Sequence, residues 1–237
     1  VDATRLLNLA EQAAISAQRA SKGETGRVTI GFTAAAGYEI VPRLLAAAKQ
    51  ALPDIDVVLR EQISVAQIAM LESNTIDLGF LRPLFSRTPI NFELIEQEPL
   101  VVAMPVNHEL ARRELIALSD MNGQPFVMHS PKEGKYFHDL ILSMFVSSGV
   151  KPDYIQYLDQ THTILSLVRA GLGIGILPES AQRFHLENVV FRPLEKNDVV
   201  AELCMAWRPD QRSSPAVLKF RRFAESYFAA KRKAKDV

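Results

Sequence analysis

Between Gly26 and Leu59 the hydrophobic rhythm of the chain changes twice. Val28, Ile30 and Phe32 alternate with Thr29, Gly31 and Thr33 in a mostly β-branched or apolar run, the pattern of a buried strand. Thr33 to Gly37 are small, which suits a tight strand-to-helix turn. Ile40, Leu44, Leu45, Ala48 and Leu52 then recur at helical spacing. Pro53 and Asp54 stop that helix, and Ile55, Val57 and Leu59 open a second strand. A helix between two strands is by default a right-handed βαβ crossover. The turn from the carboxyl end of a strand into a helix is where open α/β sheets bind anions. The pattern therefore predicts a small carboxylate, or a ligand like it, over Thr33, Ala34 and Ala35.

The same two periods organise the rest. Leu6, Leu9, Ala13, Ala17 and Ala20 form a helical stripe that Gly23 can end. That stripe needs a partner, either the body of its own chain or, as a linker or dimerisation helix, another one. Ser64 and Val65 open a helix carrying Ile68 and Leu71. Ile76 to Leu81 reads as a third buried strand, ended by Arg82 and Pro83. Phe92 to Met104 is extended, with a bend or sheet edge predicted at Pro99. A second set follows: a strand from Pro125 to His129, a turn from Ser130 to Lys135, and a helix bearing Phe137, Ile141, Met144 and Phe145. Tyr154 to Leu158 and Gly173 to Leu177 are strands around a helix from Thr161 to Ala170. Val189 to Leu194 and Val200 to Trp207 are extended, and a helix from Ser214 to Lys231 precedes a basic tail. Each half has a strand ending in a small or polar turn. Sheets facing each other would aim both helix N-termini into one cleft. That layout fits a two-lobed α/β binding fold, with chain crossovers near Glu98 to Leu100 and Val199 to Glu202.

Composition narrows the function. The 237 residues carry 27 lysines plus arginines against 27 aspartates plus glutamates, and 48% are hydrophobic. Such a chain can bury a substantial core, and its balanced charge argues against the folded body being a nucleic-acid glove. The single cysteine, Cys204, excludes an internal disulfide and reads as a small buried hydrophobe. No apolar run reaches membrane-spanning length and no signal peptide is visible, so a cytoplasmic protein is the default expectation.

No catalytic constellation emerges. His108-Glu109 lacks the second histidine of a zinc-protease motif. Gly171 to Gly175 has the wrong spacing for a dinucleotide loop and precedes a strand instead of opening a helix. There is no nucleophile elbow and no phosphate-binding lysine loop. No metal or cofactor is expected, and the chain is not expected to be an enzyme. Thr33 and Ser64 place hydroxyls at helix starts, where they either cap or meet a ligand. Ser130 occupies the matching turn of the other half. Arg82, at a strand end on the cleft side, either pairs with an acid or faces ligand. His129 and His162 lie near strand ends, His162 as a helix cap and ligand donor. Tyr136 and Phe137 either wall an apolar pocket or belong to the core.

In order and separation, AEQAAISAQRASKGETGRVTIGF, ALPDIDVVLREQ, LESNTIDLGFLR, EPLVVAMPVNHELA and LVRAGLGIGILPES resemble the effector-binding half of the LysR-type transcriptional regulators. VMHSPKEGKYF and Ser64 look most like members responding to aromatic-degradation intermediates such as muconate or benzoate. The resemblance implies two Rossmann-like subdomains of periplasmic-binding-protein type, joined by two crossovers and preceded by a linker helix. Its boundaries are residues 1–25 for the linker, 26–98 plus 202–230 for subdomain I, 99–201 for subdomain II, and 231–237 for the tail. It implies an aromatic or dicarboxylic inducer in the cleft, meeting Thr33, Ser64 and the neighbourhood of Tyr136 and Phe137. It further implies a winged helix-turn-helix outside this sequence that binds DNA, and homodimers or homotetramers. The competing expectation is a solute-binding protein that transports a small carboxylate.

Overall fold

The computed structural model describes residues 2–195, 198–209 and 213–235. Val1, Asp236 and Val237, at the outer ends of the expected linker and tail, lie outside the described residues. Helix α1 (Asp2–Ser21) leads into β1 (Gly26–Phe32). Gly23 ends α1 with φ +67°, and a Cβ there would sit 2.5 Å from the carbonyl oxygen of Pro215, so only glycine fits. Then come α2 (Ala34–Tyr38), α3 (Ile40–Ala51), β2 (Ile55–Glu61), α4 (Ser64–Glu72), β3 (Leu78–Leu81) and β4 (Asn91–Pro105). The second lobe adds β5 (Pro125–His129), α5 (Lys135–Ser148), β6 (Asp153–Leu158), α6 (Thr161–Arg169), β7 (Gly175–Pro178) and β8 (Val189–Pro193). The chain returns through β9 (Val200–Trp207) and closes with α7 (Pro215–Lys235). Short 3-10 helices at Glu109–Arg112 and Glu179–Phe184 went unanticipated in the sequence.

The architecture is α/β with two lobes of periplasmic-binding-protein type. Strands run in the order β2-β1-β3-β9-β4-β7, with β8 also on β4, and β5 and β6 form a separate parallel pair. One core gathers Val28, Ile30, Leu44, Phe80, Met205 and Phe220 between α3, α7 and the first lobe's strands. Another gathers Val102, Met104, Phe126, Ile141 and Phe145 in the second.

β4 joins the lobes. From Asn91 to Pro99 it pairs with β9, and from Leu100 onward with β7 and β8. The expected bend or edge at Pro99 is therefore corrected. Pro99 pairs with Val200 inside a continuous strand, and the irregularity lies at Leu94 to Glu96 instead. Pro99 stands where one ladder hands over to the other, so the N–H it lacks falls at the junction. The C-terminal basic run is also corrected: α7 continues through Lys235. Arg232 there donates to the carbonyl of Leu94 and pairs with Glu93 at 3.1 Å. Cys204 is buried, and burial pushes its thiol up to about 11.

Candidate functional site

The carboxyl ends of β1, β3 and β5 meet in a cavity of about 60 Å³ between the lobes. Thr33, Ala34 and Ala35 line it after β1, Ile63 and Ser64 at the start of α4, and Arg82 and Leu84 after β3. The second lobe contributes His129, Glu133, Gly134, Tyr136 and Phe137, with Asp159, Gln160 and Thr161 at the start of α6 and Phe184 closing one side. That side is shut by inter-lobe contacts: the rings of Tyr38 and Phe184 lie 4.4 Å apart, and Arg183 pairs with Glu39 at 3.0 Å. The volume holds a handful of water-sized groups.

Three helices of nine residues or more start at this wall. Their first i→i−4 bonds run from Gln67 N–H to the Ile63 carbonyl, from His138 to Gly134, and from Ile164 to Gln160. The earlier N–H groups of each first turn have no i→i−4 acceptor, although in α6 the Thr163 N–H also donates to the Gln160 carbonyl at 3.1 Å. None of the cap positions, Ile63, Gly134 or Gln160, supplies a side-chain cap. What positive character the cavity wall has thus comes from backbone dipoles rather than from free cations.

The hydroxyls divide. Thr33 stands at the cap of α2 but makes no cap bond, and its Oγ1 is buried without a partner. Ser64 is not a cap either. Its Oγ accepts the main-chain N–H of Arg82 at 3.0 Å, an interaction between segments 18 residues apart.

Arg82 is the hub of the cavity floor. It is 4% exposed. Its guanidinium donates to Glu98 Oε1 at 2.7 Å and to the carbonyl of Glu202 at 2.9 Å. It also lies 5.0 Å from the centre of the Phe137 ring. The ion-pair reading of Arg82 therefore holds, while the residue also lines the cavity. The other oxygen of Glu98 accepts the N–H of Ser180 at 2.7 Å, in the second lobe. Tyr136 fastens α5 to the second crossover, accepting the N–H of Glu202 at 2.7 Å. Burial pushes its phenol upward.

His129 is the unusual group. It is 1% exposed and stacks on Phe137 with ring centres 4.8 Å apart. Both ring nitrogens are buried without a protein partner. Burial first, then the charges of Arg82 and His138, pushes its pKa down to about 3, so the ring is neutral at pH 7.

Thr33, Ala34, Ala35, Ser64, Arg82, His129, Tyr136 and Phe137 are thus brought together as expected. Three expected residues are not at the wall. Val65 is exposed, and His162 is exposed within α6, whose cap is Gln160. The Ser130 hydroxyl donates to Glu133 at 2.6 Å and holds that carboxyl below its usual range. Glu133 and Asp159 were missed. Each lies one residue before a helix cap, Gly134 or Gln160, in the kind of turn that picked out Ser130. A larger groove of about 490 Å³ lies between α3, the first half of β4 and α7. Three of its arginines are committed, Arg43 and Arg183 to Glu39 and Arg232 to Glu93. The smaller cavity, with its unpartnered buried atoms, is the better ligand site.

The profile of the family described as LysR substrate binding domain matches residues 21–229. The chain belongs to this family. It is 33% identical over 221 residues to the uncharacterized HTH-type transcriptional regulator YnfL of Escherichia coli (strain K12), spanning 93% of this chain and 74% of that protein. It is 30% identical over 220 residues to the Hca operon transcriptional activator HcaR of the same organism, spanning 92% and 73%. The effector binding domain of QuiR in complex with shikimate superposes with a TM-score of 0.81 at 24% identity, over 87% of this LysR-family chain and 98% of that one. That of BenM with its effector benzoate gives 0.73 at 26%, over 86% and 93%. Among the described residues no helix is long and apolar enough to cross a membrane.

Proposed function

We propose that this chain is the effector-sensing part of a transcription regulator and binds a small carboxylic acid in the cavity between its lobes. The observation that carries this is the convergence of three uncapped helix N-termini on a cavity holding the unpartnered Thr33 hydroxyl and His129 ring. A carboxylate accepts from free first-turn N–H groups, and the dipoles favour its charge. Thr33, Ala34, Ala35 and Ser64 form the first lobe's side of the pocket, and Tyr136 and Phe137 the second's. A ring-sized acid exceeds the present volume, so its entry separates or rotates the lobes. That differential fit is how a ligand shifts the balance of two states. The relatives support the wider reading. YnfL and HcaR are named as transcriptional regulators, and CbnR has been solved with its target DNA. DNA binding then belongs to a winged helix-turn-helix outside these residues. Homodimers or homotetramers pair two such sensors on a two-fold operator.

The test is a thermal-shift screen of benzoates, muconates, shikimate and short aliphatic acids. A true ligand at one hundred times its Kd stabilises the chain by about 2.7 kcal/mol. Absence of a shift with every acid sinks the reading.

A further inference from the structure

We infer that the cavity selects an acid with a single negative charge and that His129 reads an uncharged hydroxyl or carbonyl group elsewhere on that acid. The inference rests on the cleft being the acid site proposed above, and it names which acids enter.

Charge is the first argument. Among the described residues Arg82 is the one cationic side chain lining the cavity, and Glu98 and the Glu202 carbonyl already hold it. Glu133 and Asp159 also line the wall. The side chains therefore offer no spare positive charge, and the electropositive character comes from helix ends, each worth about half an elementary charge. That suffices for one carboxylate. A second would meet the like charges of Glu133 and Asp159 on the exposed rim of the wall, with no uncommitted cationic side chain among the lining residues to offset them.

Hydrogen bonding is the second argument. A neutral imidazole carries one donor and one acceptor. Both nitrogens of His129 lack protein partners, although the residue lines the cavity. A buried polar group left unmatched is destabilising, so a ligand that matches it gains affinity over one that does not. A hydroxyl or carbonyl satisfies the neutral ring. A carboxylate can accept from the ring's N–H, but it gains no ion pair there, because burial and the charge of Arg82 keep the ring neutral.

The experiment is calorimetric titration of the chain with matched acids. One set is benzoate, the three hydroxybenzoates and the three benzenedicarboxylates. A shorter set is propanoate, lactate and malonate. In whichever set binds, one hydroxy acid is expected to bind about tenfold tighter than the plain acid, and no diacid to bind as well as the plain acid. A diacid matching the best hydroxy acid, or no gain from any hydroxyl, overturns the inference while leaving the acid site standing. Failure of every acid removes both. His129→Phe, which keeps the stack on Phe137, is expected to abolish the hydroxyl preference, so that the hydroxy acid and the plain acid bind alike. His129→Gln, which restores a donor and an acceptor, is expected to recover part of it. Preference retained in H129F overturns the assignment. If H129F does not fold, nitrogen-15 spectra of the wild-type histidines decide. The His129 ring signals are expected to move with the hydroxy acid and not with the plain acid, and equal movement with both counts against it.

Discussion

Arg82 and Glu98 form an ion pair 2.7 Å long, with side chains only 4% and 11% exposed, at the point where the chain leaves its first lobe. Glu98 also accepts the Ser180 N–H. One carboxylate therefore ties the end of β3, the crossover strand and the second lobe. Removing one member of a buried pair leaves an uncompensated charge. Glu98→Ala is expected to cost about 3–5 kcal/mol in chemical denaturation, and Arg82→Met with Glu98→Leu to recover most of that loss. A double variant no more stable than E98A would show that the hydrogen bonds to Ser180 and Glu202 dominate instead.

Thr33 and Ser64 look alike in sequence and differ in the fold. Ser64→Ala strands the buried N–H of Arg82 and is expected to cost about 1–2 kcal/mol of stability. Thr33→Ala deletes a hydroxyl that has no partner and is expected to leave the unliganded chain as stable as before. Both variants are expected to weaken acid binding. Equal melting points for the two would mean that the Ser64 bond contributes nothing.

Acid is expected to destabilise the protein through His129. Its folded pKa, about 3, lies below the usual histidine value of 6.5, so between the two the unfolded chain binds the extra proton. The stability from keeping His129 neutral is complete above 6.5 and is lost as pH falls towards 3. The slope approaches about 1.4 kcal/mol per pH unit in that window. Comparing wild type with H129Q isolates this contribution from the carboxylates, and parallel stability curves below pH 6.5 would refute it.

Leu6 and Leu9 on α1 are 67% and 55% exposed, within the apolar stripe of that helix. The stripe is expected to close on a second copy of the chain. L6E/L9E is expected to shift sedimentation towards the 26.4 kDa monomer with little change in melting temperature. An unchanged oligomer would assign the contact to other faces.

Much of this was legible because it is local. The alternation of Val28 and Ile30, the helical spacing from Ile40 to Leu52 and the turn after His129 each state their element within a dozen residues. So did the meeting of Thr33 with Phe137, since both follow strands that end at one cleft. The illegible parts are tertiary. Nothing near Ser64 announces that its hydroxyl serves Arg82, and nothing near Arg82 names Glu98 instead of another acid. The basic run after Lys231 reads as a solvated tail until β4 brings Glu93 and the Leu94 carbonyl beside Arg232. Pro99 reads as an edge residue because the sequence cannot reveal that two ladders change over at it.

That changeover decides what kind of machine the two lobes make. A flexible linker would let them swing apart freely, like a clamshell on a loose pin. Here a single hydrogen-bonded strand belongs to both sheets, and β9 runs antiparallel beside its first half up to the crossing. Relative motion must twist this ribbon, so the junction behaves as a torsion spring with a restoring force. Under the sensing role proposed above, the signal would be a small rotation, and α1, which leads into the start of β1, would be the lever that a second copy feels.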